Sequence, residues 1–279
     1  MNNILSELHV EILECDTTEC RSWWNQRDLV NPFARIYHVR EGEGWICHHD
    51  CTFHLVPGRL FLIPSTAIAT MSCPHRMLQQ WLHFRAELAG GLDVFQVIVP
   101  TYELAFADCP PWAAPAIAHL WELLKGGNAF DLLEAESLLR SLIALFLRSG
   151  PGKNEDKISA VTRFKPAFEL IERQLTAKLT LKLLARTVSL HPVYFSNEFT
   201  RRMGVTPLEY VRARRIERAK RLLLDPNCKL DEIAAQTGFA DAFHLSRTFK
   251  KLTGVSPSVF RRNFNSLSAE VTPRWPREI

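Results

Sequence analysis

The chain has 279 residues, 47% of them apolar, 10% aromatic and 23% charged, which is enough apolar material for two hydrophobic cores and excludes a disordered protein. No apolar run reaches membrane-spanning length, Met1 to Val10 lacks a basic, apolar export leader, and seven irregularly spaced cysteines fit free thiols, so a cytoplasmic protein without membrane association is expected. The net charge of +4 conceals an asymmetry: residues 161–264 hold 20 Lys and Arg against 9 Asp and Glu (+11), and residues 1–160 hold 12 against 19 (−7), which directs the C-terminal part toward a polyanion.

In chain order, Phe33 to about Phe84 is expected to be β. Short apolar or alternating runs at Arg35–Arg40, Trp45–Cys47, Thr52–Val56 and Leu60–Ile63 are punctuated by Gly42-Glu43-Gly44, His48-His49-Asp50 and Pro57-Gly58. Such punctuation predicts antiparallel hairpins closing into a barrel or sandwich. Alternation from Gln79 to Phe84 puts Gln79, Trp81 and His83 on one face. A Trp platform beside amide and imidazole groups suits stacking on a sugar ring, and with Trp24, Arg35, Tyr37 and Glu41 these residues form the candidate ligand pocket; a plain core role for Trp81 is the alternative. Cys47-His48-His49-Asp50-Cys51 has metal-ligand residue types but falls at a turn without a second ligand pair, so neither a metal site nor a cofactor is expected. The absence of a catalytic triad, phosphate loop or paired-carboxylate pattern makes a non-enzyme the expectation.

From about Ala113 to Leu147 the apolar period becomes helical, and Leu132, Leu139, Ile143 and Phe146 share one wide face. A single amphipathic helix is predicted, dimerising the chain through that face, so that charged residues at Leu139 and Ile143 would yield monomers. The polar stretch Ser149 to Asp156 breaks helix. The resulting division is 1–148 for sensing and dimerisation, 149–162 as linker, 163–265 for DNA binding and 266–279 as a frayed tail.

An offset of 50 residues aligns 181–212 with 231–262, making Ala185/Ala235, Thr187/Thr237, Ser196/Ser246, Phe199/Phe249, Gly204/Gly254, Pro207/Pro257 and Arg212/Arg262 identical. Two copies indicate a duplicated module rather than a solenoid. Each reads as helix, turn, helix and glycine stop, followed by a capping-box or Ser-Pro start, which is a helix-turn-helix. With Phe195 and Phe199 inward, Val193, Ser196, Asn197 and Thr200 face outward; with Leu245 and Phe249 inward, Ala242, Phe243, Ser246, Arg247 and Lys250 do so. These are the candidate base-reading residues: Arg247 for guanine, Asn197 for adenine, Val193 and Phe243 for thymine methyls. The connecting helix, Pro207 to about Leu224, spans roughly 27 Å, close to one turn of DNA at about 34 Å. Arg201, Arg202, Arg212, Arg214, Arg215, Lys251, Arg261 and Arg262 flank the readers as candidate phosphate contacts.

Ala185 to Val211, Asp231-Glu232-Ile233-Ala234, and Gly238-Phe239 through Pro257-Ser258-Val259-Phe260-Arg261 resemble the DNA-binding domain of the AraC/XylS family. The resemblance implies one domain reading a bipartite site, usually as a homodimer on two half-sites, with RNA polymerase as a further partner and genes of catabolism or stress response as targets. Glu41-Gly42-Glu43-Gly44, Pro57 to Pro64 and Trp81-Leu82-His83-Phe84 are similar to that family's cupin-like sensor, which binds a sugar or other small effector in an antiparallel β-barrel. The histidine usual after the Ile-Pro strand is replaced here by Ser65-Thr66-Ala67-Ile68-Ala69. The expected protein is therefore multidomain α and β, a cupin-like antiparallel β-barrel with a helical dimerisation segment followed by an all-α double helix-turn-helix. A small-molecule-controlled transcription regulator is the expected function, with a cupin-type enzyme fused to a DNA-binding module, or a metal- or thiol-responsive regulator, as alternatives.

Overall fold

Strand and helix boundaries follow the turn chemistry along the chain. The computed structural model describes residues 4–48, 51–65, 67–151 and 155–262; the expected tail at 266–279, His49 and Asp50, and part of the expected linker lie outside them. The elements are β1 (His9–Cys20), β2 (Gln26–Val30), β3 (Ala34–Gly42), β4 (Gly44–His48), β5 (Cys51–Leu55), β6 (Arg59–Ile63), β7 (Ile68–Ser72), β8 (Met77–Leu88), β9 (Leu92–Asp93), α1 (Val94–Val97) and β10 (Glu103–Ala105). They continue with α2 (Ala113–Gly126), α3 (Ala129–Arg148), α4 (Glu155–Arg173), α5 (Leu181–Thr187), α6 (Pro192–Met203), α7 (Pro207–Leu222), α8 (Leu230–Thr237) and α9 (Ala242–Thr253). The N-terminal part is rich in β-structure and the C-terminal part is helical.

One sheet has the strand order β1-β8-β3-β6-β10, with β9 pairing on β8, and a second has the order β2-β7-β4-β5. The pairings of β3 with β6 and β8, β6 with β10, β8 with β9, β7 with β2 and β4, and β4 with β5 are antiparallel, and the β4–β5 hairpin brings His48 opposite Cys51. Tyr37 on β3 donates its hydroxyl to the Met71 sulfur on β7 at 3.7 Å, so inward side chains of the two sheets meet. The described residues divide into two compact units, one of 9–86 and 98–151 and the other of 4–8, 87–97 and 155–262.

The stretch read as one helix from Ala113 to Leu147 is two. Gly127 adopts φ +67°, and the Asn128 side chain caps α3 by accepting from the Phe130 and Asp131 amides, both at 2.9 Å. α2 and α3 pack together, which changes the meaning of the apolar face on α3. Leu139, Ile143 and Phe146, expected at a dimer interface, are fully buried within the chain, while Phe130 (84% exposed) and Leu133 (65%) lie outside. α4 starts at Glu155, inside the stretch 149–162 expected as linker.

In the C-terminal unit the core is aromatic. Phe164 and Phe168 of α4 enclose Phe195 and Phe199 of α6, and Tyr210 of α7 completes the cluster; ring centroids of the contacting pairs lie 5.0–5.8 Å apart. The second repeat has a smaller counterpart in Leu245, Phe249 and Phe260. Each buried Phe contributes about 3–5 kcal/mol against truncation to Ala.

Two predictions follow from burial. Leu139→Asp places a charge in a closed core and should abolish the cooperative thermal transition, whereas Phe130→Asp should leave the melting temperature within about 2 °C. Burial also holds the His38 imidazole down at about 4, against the hydrogen bond with Gln80 that raises it, so His38 is neutral when folded and binds a proton more readily when unfolded. Its contribution is present above pH 6.5 and is lost as the pH falls toward about 4. Melting temperature measured across that window should decline, and less steeply in His38→Gln.

Candidate nucleic-acid interface and sensor face

The helix-turn-helix geometry arises twice from the same local chemistry. In the first copy, Thr180 caps α5, Ser189 takes φ +54° in the turn, and Pro192 starts α6, which stops at Gly204 with φ +78°. Thr206 and Glu209 form the reciprocal capping box that starts α7. In the second, Gly238 ends α8 at φ +75°, Asp241 accepts from the His244 amide at 2.7 Å, and Gly254 ends α9 at φ +81°. Residues 191–199 and 241–249 run through the same succession of exposed, half-buried and buried positions.

Of the expected base-reading residues, Val193, Asn197, Phe243, Arg247 and Lys250 are exposed. Ser196, Thr200, Ala242 and Ser246 are half-buried beside them, and the Thr200 hydroxyl donates back to the Ser196 carbonyl at 2.7 Å. Phe243 is 70% exposed, and the Arg247 guanidinium lies 5.6 Å from its ring centroid, so the pair holds an apolar edge and a cation together on α9. Tyr194, 50% exposed, and His244, also exposed, occupy equivalent places at the starts of the two helices. The one-face spacing rule passed over both, although the offset of 50 residues aligns them.

The flanking basic residues divide into two groups. Arg212, Lys251 and Arg262 are exposed. Arg214 is 97% buried, with its Nε donating to Glu172 Oε1 at 2.6 Å and its Nη2 against the β8–β9 turn, where a Cβ on Gly91 would lie 2.6 Å away. That burial corrects its assignment as a phosphate contact. Arg215 is likewise a structural residue, donating to the carbonyls of Leu175 (2.9 Å), Gly238 (2.8 Å) and Ala177 (2.8 Å). Arg261 donates to the carbonyls of Leu223 and Cys228. Arg201 and Arg202 share Glu198 at 3.1 and 3.0 Å, and hydrogen bonds from both hold its carboxyl down at about 2.

In the β-rich unit, the β3–β8 register places Arg35 opposite His83, Tyr37 opposite Trp81 and Val39 opposite Gln79. Alternation puts all six on one face, and Trp24 meets Tyr37 edge-on at 5.9 Å. Trp81 contacts His83 at a centroid distance of 4.4 Å, and its indole N–H donates to Thr18 Oγ1 at 2.9 Å. Burial lowers the His83 pKa, which the Glu14 carboxylate 3.5 Å away opposes. Six of the seven expected pocket residues therefore gather there. Glu41 does not: it is exposed at the end of β3 and pairs with Arg76 at 2.9 Å, because the strand irregularity between Val39 and Glu41 interrupts the alternation.

Arg214→Ala should destabilise the protein by about 3–5 kcal/mol by stranding Glu172, whereas Arg247→Ala should change stability by less than about 0.5 kcal/mol. Chemical denaturation of both variants measures the difference.

Residues 184–263 match the sequence pattern of a family described as "Helix-turn-helix domain". An HTH-type transcriptional regulator of Bacillus subtilis, YobQ, is 34% identical over 96 residues, covering 34% of this chain and 40% of that protein. Across several such relatives the matched stretch spans less than half of their length. The raffinose operon transcriptional regulatory protein RafR of Pediococcus pentosaceus is 25% identical over 238 residues, covering 82% of this chain and 84% of RafR. The structure of unsaturated-fatty-acid-bound ToxT from Vibrio cholerae superposes with a TM-score of 0.52 at 16% identity, over 91% of this chain and 94% of ToxT, which establishes a shared fold. Residues 184–263 thus match a helix-turn-helix domain, and the chain is similar to AraC-type transcriptional regulators through it.

Proposed function

We propose that the chain is a sequence-specific DNA-binding transcription regulator of the cytoplasm, in which residues 163–265 bind double-stranded DNA and residues 1–148 form a cupin-like sensor for a small-molecule effector. The observation that carries the reading is the matched burial of the two helix-turn-helix copies, which turns Val193 and Asn197 in one, and Phe243 and Arg247 in the other, away from their anchors on a basic domain. Exposed Arg212, Lys251 and Arg262 supply the phosphate contacts in this reading, in place of the internally engaged arginines. RNA polymerase is the partner on which such a regulator acts. RafR is named for a raffinose operon and ToxT has been solved with an unsaturated fatty acid, which supports a small-molecule effector here and leaves a sugar or related metabolite as the starting class.

The test uses the full chain and a random duplex library. Selected sequences should share a preferred motif, and binding should weaken steeply with salt as counterions are displaced from phosphates. Arg247→Ala should cost about 1–3 kcal/mol on the selected site and relax preference at one base pair, and Arg262→Ala should weaken selected and random DNA alike while lowering the salt slope by about one. Salt-independent binding, or an unchanged motif for Arg247→Ala, overturns the assignment.

A homodimer belongs to the same proposal, with its contact moved to the exposed apolar residues Phe130 and Leu133 at the start of α3. Sedimentation should show a dimer for the wild type and a monomer for a Phe130→Asp/Leu133→Asp variant that still unfolds cooperatively.

A further inference from the structure

Arg35 is 98% buried, yet its Nε and Nη2 have no hydrogen-bond partner; besides the neighbouring Tyr37 hydroxyl, the guanidinium reaches the Met71 sulfur, 3.9 Å from Nη1. Among the described residues no carboxylate forms an ion pair with it. The Tyr37 hydroxyl ends on the same sulfur, at 3.7 Å. Beside them Gln79, 99% buried, spends its amide on the Cys20 sulfur at 3.2 Å and leaves its own carbonyl oxygen without a donor. Strong donors that face thioether and thiol sulfurs are poorly satisfied, since sulfur is a weak acceptor. An uncompensated guanidinium inside a core is more costly still.

We infer that the effector is a small organic monocarboxylate whose two oxygens bind the Arg35 guanidinium and the Tyr37 hydroxyl, with a hydroxyl or amine of the same molecule meeting the Gln79 carbonyl. This inference deepens the sensor reading above and rests on it. The charge of the ligand follows from Arg35, which has no carboxylate partner among the described residues, whereas Arg85 is paired with Glu11 and burial favours the neutral form of His83. A carboxylate matches the planar guanidinium fork and cancels it, whereas a phosphate monoester carries about −1.5 to −2 and would leave buried negative charge. Met71 is the group displaced, an unbranched side chain with rotatable bonds that can withdraw without moving the strand. Trp81 and His83, already in ring contact, flank the carbon skeleton.

The experiment is thermal denaturation of the full chain and of Arg35→Met at pH 7, alone and with millimolar gluconate, benzoate or hexanoate, the primary amide of each, glucose and inorganic phosphate. Without any addition, Arg35→Met should melt a few degrees higher than the wild type, because a stranded charge has been replaced by an apolar chain of similar length. At least one carboxylate should raise the wild-type melting temperature, its amide should not, and the shift should vanish in Arg35→Met. A lower melting temperature for unliganded Arg35→Met, a carboxylate shift retained in that variant, or an amide matching its acid overturns the proposal. A shift from glucose or phosphate alone overturns the carboxylate and leaves the sensor reading standing. No shift from any probe removes the sensor reading and this proposal with it.

Discussion

The aromatic contact between α4 and α6 is the constraint on which the DNA-binding unit turns. α6 has twelve residues, too short to persist alone in water, and it is held because Phe195 and Phe199 are closed off by Phe164, Phe168 and Tyr210. Once those two rings are fixed, the helical period determines which residues face outward. The same holds for α9, with Leu245 and Phe249 as anchors. The outward positions of both helices are thus specified by what lies behind them.

Much of this was legible in the sequence, since glycine stops, N-caps and apolar spacing are local signals that survive without knowledge of the fold. The failures came where a partner distant in sequence decides the outcome. Arg214 was taken for a phosphate contact because it is basic and lies on the connecting helix, yet it stands four residues after Tyr210 and three after Val211, on the buried side, where Glu172 receives it. That spacing was available and was outweighed by charge. Arg215 and Arg261 could not have been recognised so, because their acceptors are backbone carbonyls placed only by folding.

In the β-rich unit the alternation of Gln79, Trp81 and His83 is seen on β8, and Glu41, grouped with them in the sequence reading, lies off that face, where an irregularity in the pairing breaks the period of two on β3. β1 went unrecognised because its twelve residues include Glu11, Glu14, Asp16 and Glu19, and most of its positions are half-buried rather than strictly alternating. The hairpin of α2 and α3 carried its own stop signal in Gly126-Gly127-Asn128, and the continuous apolar content on either side concealed it. Burial of the α3 face inside the chain shows how an apolar stripe alone does not distinguish a partner helix of the same chain from one of another.

The two repeats keep their anchors, caps and glycine stops in common and differ where they face outward: Val193 against Phe243, Asn197 against Arg247, Thr200 against Lys250. Two readers with different surfaces cannot be exchanged by turning the domain end for end on the duplex. If the two helices read DNA as proposed, the element recognised by one domain is directional rather than palindromic, and the domain bound to it has a front and a back.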